Sequence, residues 1–283
     1  MTKTRGRSPT DSALKTQAQR FYDAAYARGS DPLREGIVTY AVQEDGPLEA
    51  RLSEELKQFI AAYNLQEKRV LDVGSGAGGL QDLVADYTGL DVAATAARFY
   101  HKPYFAASAT KMPFPDNSFD VVWTIGAVEH IPEPERAYEE MRRVLKHEGL
   151  LYLFPGWQSP SWAAEGYAVR PWKDFGLRGK LIKASIPFRN NRYYRAGCKV
   201  PVRIARMVWF RLVDKRPAPL RYRELQPNYT YNWTYDSDAV NNLDPGEAIL
   251  WFTSRGDRAL TNPSVLSQIL ARDAPVILEI VKR

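Results

Sequence analysis

The chain has 283 residues, 39 basic against 33 acidic side chains for a formal charge of +6, and 45% hydrophobic residues. This suits one α/β domain with an insertion and a sizeable core better than two independent domains. One cysteine, Cys198, excludes an intramolecular disulfide, and there is no Cys/His cluster of zinc spacing, so no metal and a reducing, cytoplasmic setting are expected.

Met1 to Thr10 is basic and hydroxyl-rich but has no apolar segment behind it, so it reads as a tail. No run reaches transmembrane length. Residues 12–27 and 47–63 have helical spacing of apolar side chains, the second with Leu48, Leu52, Leu56, Phe59 and Ile60 on one side. Both are expected to pack ahead of the first strand.

The run Val70-Leu71-Asp72-Val73-Gly74-Ser75-Gly76-Ala77-Gly78-Gly79 then breaks an apolar strand into a glycine loop, with Asp72 in the strand beside it. Glycine permits positive φ and close approach of the backbone to a ligand, and a helix expected from about Leu80 would offer unpaired N–H groups. Gly74, Gly76 and Gly79 satisfy G-x-G-x-x-G, which admits a dinucleotide. The charge of Asp72 favours instead a ligand carrying an ammonium and a sulfonium, as S-adenosylmethionine does.

Asp91 closes the next strand in Tyr87-Thr88-Gly89-Leu90-Asp91-Val92, where a carboxylate can accept hydrogen bonds from both ribose hydroxyls of either ligand. Lys111-Met112-Pro113-Phe114-Pro115-Asp116-Asn117-Ser118 places a turn before the buried strand Phe119 to Trp123, and Leu145 to Phe154 reads as a helix end followed by another. Strands near 69–73, 87–90, 104–107, 119–124 and 149–154 alternate with helix-length segments. That is the pattern of a parallel doubly wound sheet, whose ligands bind at the carboxyl ends of the strands.

These four motifs, in this order from about Lys68 to Phe154, resemble the core of a class I S-adenosylmethionine-dependent methyltransferase of the ubiquinone/menaquinone-biosynthesis-like (type 11) group. The resemblance implies that Asp72, Gly74 and Gly76 line the methionine end of the cofactor, that Asp91 holds the ribose, and that Ala109 to Met112 lie near the adenine. Ser75, Val92, Ser108, Thr110 and Thr124 complete the implied cofactor set. Ser108 stands where many relatives carry Asp, so a hydroxyl replaces the carboxylate that accepts from the adenine amino group. His147-Glu148-Gly149 replaces Pro-Gly-Gly in a turn away from the cofactor.

After the fourth strand, Thr124-Ile125-Gly126-Ala127-Val128-Glu129-His130 puts His130 near the catalytic face, where a neutral imidazole could take a proton at cytoplasmic pH. The alternative is a helix-start element without catalytic duty. Quinone O-methyltransferases with a metal-assisted site resemble this stretch but carry Glu where this chain has Gly126, so no metal is expected. In relatives the N-terminal region often closes over the cofactor, which makes Tyr22 and Tyr40 further candidates.

Residues from Pro155 to Asn242 read as an insertion between the fifth and sixth strands, where relatives build the lid over the methyl acceptor. From Arg170 to Arg223 it holds sixteen basic residues against Asp174 and Asp214 alone. Such asymmetry attracts phosphates of lipids, nucleotides or nucleic acid. Val200 to Val213 mixes apolar residues with Arg203, Arg206 and Arg211. As a helix it would lie at an anionic membrane interface, bind RNA, or pack its apolar side on the core with its arginines solvated. Tyr229 to Asp238 alternates aromatic and polar residues and would line an acceptor pocket, with Tyr235 the second catalytic candidate, or form an edge strand with a capping Asp before an Asn241-Asn242 turn.

Near the C-terminus, Asp244-Pro245-Gly246-Glu247 starts a helix that Arg255-Gly256 ends. Ala259-Leu260 and Pro275 to Val281 follow as two short strands that match the antiparallel ending of the methyltransferase fold. The expected architecture is therefore an α/β, Rossmann-like, doubly wound seven-stranded sheet with an antiparallel final strand and a lid insertion. Its parts are an N-terminal tail and cap helices (1–64), a cofactor-binding core (65–155), a basic and aromatic lid (156–243) and a completing helix and strand pair (244–283). The expected activity is methyl transfer, most simply to oxygen, on a small or lipid-linked acceptor, by a cytoplasmic protein with membrane-peripheral contact. The alternatives are a non-catalytic binding protein, which Ser108 motivates, and an RNA methyltransferase, against which stands the lack of an Asn/Asp-Pro-Pro-aromatic motif.

Overall fold

A computed structural model describes residues 9–27, 47–230, 233 and 236–282. Five parallel strands form the centre: β1 (Arg69–Val73), β2 (Asp86–Asp91), β3 (Tyr104–Ala106), β4 (Phe119–Ile125) and β5 (Leu145–Phe154). A minor pair, β6 (Arg223–Glu224) and β7 (Asn241–Asn242), stands apart from the main sheet. With β8 (Arg258–Ala259) and β9 (Val276–Glu279) the seven-stranded sheet has the order β3-β2-β1-β4-β5-β9-β8, and β9 runs antiparallel to both neighbours. The Rossmann-like order and the antiparallel ending agree with the sequence reading.

Alternation along each strand divides the core in two. Leu71, Val73, Val122, Leu151 and Leu153 face α3 (Pro134–Val144) and α6 (Pro245–Thr253), where Tyr138, Met141, Trp251 and Phe252 are buried. Val70, Tyr87, Val121, Trp123 and Tyr152 face the other way, onto Leu56, Phe59 and Ile60 of α2 (Pro47–Ala62). Each large apolar side chain buried in this way contributes about 1.5–3 kcal/mol. α1 (Pro9–Ala27) crosses the carboxyl ends of the strands instead of joining either layer, holding Thr95 through Asp23 and Thr110 through Lys15.

The helix expected from Leu80 is not formed. Only residues 74–85 separate β1 from β2, close to the minimum for a parallel crossover, and they hold one 3-10 turn, Gln81–Leu83. The third left-handed glycine of the loop is Gly78 (φ +77°) and not Gly79, so the dinucleotide spacing does not describe the turn. Asn241-Asn242 is the strand β7 and not a turn; Asp236 to Asp238 form a turn, and residues 231, 232, 234 and 235 of the expected aromatic segment lie outside the described residues.

The lid carries α4 (Leu177–Arg189) and α5 (Arg192–Val208), the latter continuing into a π-helical turn, Trp209–Asp214. Of the three readings of α5, the one with its apolar side inward and its arginines solvated does not hold. Arg203 is buried, donating from Nε and Nη2 to Asp244 at 2.9 Å and from Nη1 to the carbonyls of Ile269 and Ala271 at 2.8 Å. Arg206 reaches Glu247 at 2.7 Å and Lys199 reaches Asp244 at 3.0 Å. Gly246 makes room, since a Cβ there would lie 2.6 Å from Arg203 Nε. These side chains are internal ties to the start of α6, where Asp244 also accepts from the N–H groups of Gly246 and Glu247. They are not a free positive surface. α7 (Val265–Ile269) packs beside α5 and α6, ahead of β9.

Candidate functional site

The site forms where β1 and β2 end. Gly74 (φ +76°) turns the chain directly against Ala127, and an added Cβ would meet Ala127 Cβ at 2.2 Å. The Gly74 and Ser75 N–H groups return to the carbonyl of Leu90 at 2.8 and 3.2 Å. The Gly76 N–H donates to Asp91 Oδ2 at 3.0 Å, and the Ala93 N–H donates to Oδ1 at 3.0 Å. Each carboxylate oxygen keeps lone pairs beyond these bonds. Burial pushes Asp91 above the usual carboxylate range against the pull of those backbone donors.

Asp72 is buried between β2 and β4 and accepts from Tyr87 Oη at 2.8 Å. Burial raises it to about 7, Tyr87 and Trp123 oppose the rise, and the charge of Asp91 adds to it. An anion held at that pKa without a cationic partner is one that a cationic ligand would stabilise. Tyr100, which the sequence did not single out, sets the loop: its hydroxyl lies 2.7 Å from Ser75 Oγ and 3.0 Å from the carbonyls of Ser75 and Gly76.

The other implied cofactor residues divide. Ser108 and Thr110 meet through their hydroxyls at 2.9 Å, and Val92 is half-buried beside Asp91. Ala109 and Met112 are core residues, Met112 donating its N–H to Glu140 at 2.7 Å. Thr124 is fully buried and its hydroxyl has no hydrogen-bond partner.

A second cluster lies at the end of β4. His130 Nδ1 is 3.4 Å from Asp238 and Nε2 is 3.8 Å from Glu129. Glu129 Oε1 accepts from the Gly156 N–H at 2.6 Å, and Tyr22 Oη of α1 donates to Asp238 at 2.6 Å. Burial opposes the charge on His130, but Asp238, Glu129 and Asp236 outweigh it and raise the imidazole to about 9. His130 is therefore an imidazolium at neutral pH, and the expected neutral base is not what its surroundings favour. Burial raises Glu129 to about 7, His130 opposing and Asp236 reinforcing the shift.

Among the described residues, Glu129, His130 and Asp236 bring one ligand atom each within 4.8 Å of one another. Asp236 reaches this cluster from the far end of the insertion, across a sequence separation that no local motif reveals. In the present arrangement the protonated His130 is the cation that these acids surround. Tyr22 belongs to this cluster, while Tyr40 and Tyr235 lie outside the described residues.

The methyltransferase domain family model matches residues 71–153. Sterol 24-C-methyltransferase ERG6B of Gibberella zeae is 35% identical over 102 residues, 30% of this chain and 27% of that protein. Demethylmenaquinone methyltransferase of Renibacterium salmoninarum is 38% identical over 96 residues, 30% of this chain and 40% of that one. The chloroplastic tocopherol O-methyltransferase of Arabidopsis thaliana is 27% identical over 132 residues, 41% and 37% of the two chains. The chain thus spans 27%, 40% and 37% of these relatives. The match to the methyltransferase domain family thus runs from β1 to β5, glycine loop and Asp91 included, within a sheet that ends on an antiparallel strand.

Proposed function

We propose that the protein is an S-adenosylmethionine-dependent methyltransferase acting on oxygen of a small or lipid-linked acceptor. The observation that carries this is Asp91, oriented by the Gly76 and Ala93 N–H groups with lone pairs left for a ribose, beside a buried Asp72 that lacks a cation. The residues present fit the cofactor: Gly74 admits close approach, and Asp72 offers its charge to the methionine end. When bound, the cofactor supplies an electrophilic methyl group. Sterol, tocopherol and menaquinone methyltransferases among the relatives support a lipophilic acceptor.

The chain's own contribution is alignment and exclusion of water, with α1 lying across the site through Lys15, Tyr22 and Asp23. In O-methylation a carbon–oxygen bond forms as the carbon–sulfur bond breaks, and the hydroxyl proton must leave. His130 already carries its proton, so that proton passes to the carboxylates around it, of which Glu129 titrates near neutrality. An RNA acceptor is disfavoured because Arg203, Arg206 and Lys199 of the basic lid turn inward.

The test is transfer of a labelled methyl from S-adenosylmethionine into a fractionated cell extract. Label in an alkali-stable ether or in a methyl ester of the lipid fraction supports the proposal. Label confined to RNA, or none above the Asp91→Ala control, contradicts it.

A further inference from the structure

The outward face of the lid is apolar although its sequence is basic. From Tyr193 to Val213 the exposed positions are uncharged except for Arg211, whose guanidinium turns to Gln268 at 2.7 Å. Ile204 is 42% exposed, Trp209 52% and Leu212 70%. A lid helix that served only as cover would bury such residues and leave its arginines in water. Here the arginines are spent on Asp244 and Glu247, and Met207 is the large apolar side chain that α5 buries.

α4 continues the same face. Leu177, Leu181 and Phe188 fall on one side at helical spacing, each more than half exposed, and Phe188 packs its ring 4.2 Å from Tyr194 of α5. Exposed Arg178 and Lys180 flank this stripe, and exposed Lys215 and Arg216 follow the end of the π-helical turn. Asp214 is bound to Arg216, which leaves that end of the face without a free acid.

We propose that the outer face of α4 and α5 is a docking surface for an anionic lipid bilayer. Bulky apolar and aromatic groups bordered by cations complement the acyl boundary and negative headgroups of such a membrane. A second copy of the chain would instead meet its own positive border, like charge against like. The contact is peripheral, because no helix among the described residues is long and apolar enough to cross a membrane. The inference stands apart from the methyl-transfer proposal, since binding to vesicles is read without cofactor or turnover.

The experiment is flotation of the full chain with phosphatidylcholine vesicles, with and without about 30% phosphatidylglycerol, over a salt series. Partition into anionic vesicles should exceed that into neutral ones by about tenfold and fall with salt. Trp209→Glu with Leu212→Glu should abolish it while circular dichroism and melting are retained. Should that pair misfold, Arg178→Glu with Lys180→Glu, both at the surface, should weaken partition by about fivefold or more. No partition into either vesicle overturns the proposal, as does partition that neither pair of substitutions changes. So does a stable dimer in vesicle-free buffer that Trp209→Glu with Leu212→Glu dissociates, since the face would then join two copies.

Discussion

The backbone N–H of Gly76 points at Asp91 Oδ2, 3.0 Å away, so the glycine loop and the acid at the end of β2 are one unit. Asp91→Ala removes both the ribose acceptor and the anchor of the loop. Charge-assisted hydrogen bonds of this kind contribute about 1.5–3 kcal/mol each, so cofactor affinity should fall by about tenfold to a hundredfold. Calorimetric titration of wild type and variant at equal ionic strength checks this. Asp91→Asn should recover part of the loss through its amide oxygen.

Cofactor binding should be coupled to a proton at Asp72. With its carboxyl at about 7 in the free protein, part of the population is protonated at neutral pH, and a cationic ligand draws it to the ionised form. Affinity should therefore rise between about pH 6 and pH 8, with net proton release measurable by titration in buffers of different ionisation enthalpy. Tyr87→Phe deletes a hydrogen bond that lowers Asp72, so the rise should move to higher pH. A pH-independent affinity in wild type would contradict the assignment.

His130 should give stability an alkaline limit. Its folded-state pKa of about 9 lies above its ordinary value of 6.5, so its contribution is complete below about 6.5 and is lost as pH rises through 9. Glu129, raised to about 7, acts with the same sign at lower pH, between its ordinary range and neutrality. Melting temperature should fall between pH 7 and pH 9.5 in wild type and fall less in His130→Gln. Asp238→Asn removes the largest of the charges that raise His130 and should move the decline to lower pH.

The inward arginine of α5 should be costly to remove. Arg203 is buried with Asp244, and deleting it leaves that carboxylate to Lys199 and the N–H groups at the start of α6, at a cost towards the lower end of about 3–5 kcal/mol. Arg203→Met should destabilise by about that amount in urea unfolding. Arg216→Met, at an exposed pair, should leave the urea midpoint essentially unchanged.

The contrast between those two arginines marks what could be read from sequence. β1 to β5 and the start of α6 were legible because their signals are local: apolar runs bounded by turn residues, and Asp244-Pro245 at a helix start. The orientation of α5 was not, because Arg203 and Asp244 are 41 residues apart and periodicity identifies an amphipathic helix without saying which face is inside. The same limit hid the acidic surroundings of His130. Its pKa depends on Asp236 and Asp238, which reach it from the lid, and the residue taken alone reads as an ordinary imidazole. The short crossover after Gly78 was readable, since the strand expected near 87 already leaves too little chain for the helix that a glycine loop suggests. Tyr100 carries no local sequence signal, since its link to Ser75 exists only once β3 lies beside β2.

The measurement that bears most directly on the methyl-transfer account is calorimetric binding of S-adenosylmethionine to the full chain, with Asp91→Ala as the paired control. The account predicts saturable binding at one site per chain, displaced by S-adenosylhomocysteine and weakened by about tenfold or more in the variant. No saturable heat in the wild-type protein, or equal affinity in the two, would contradict it.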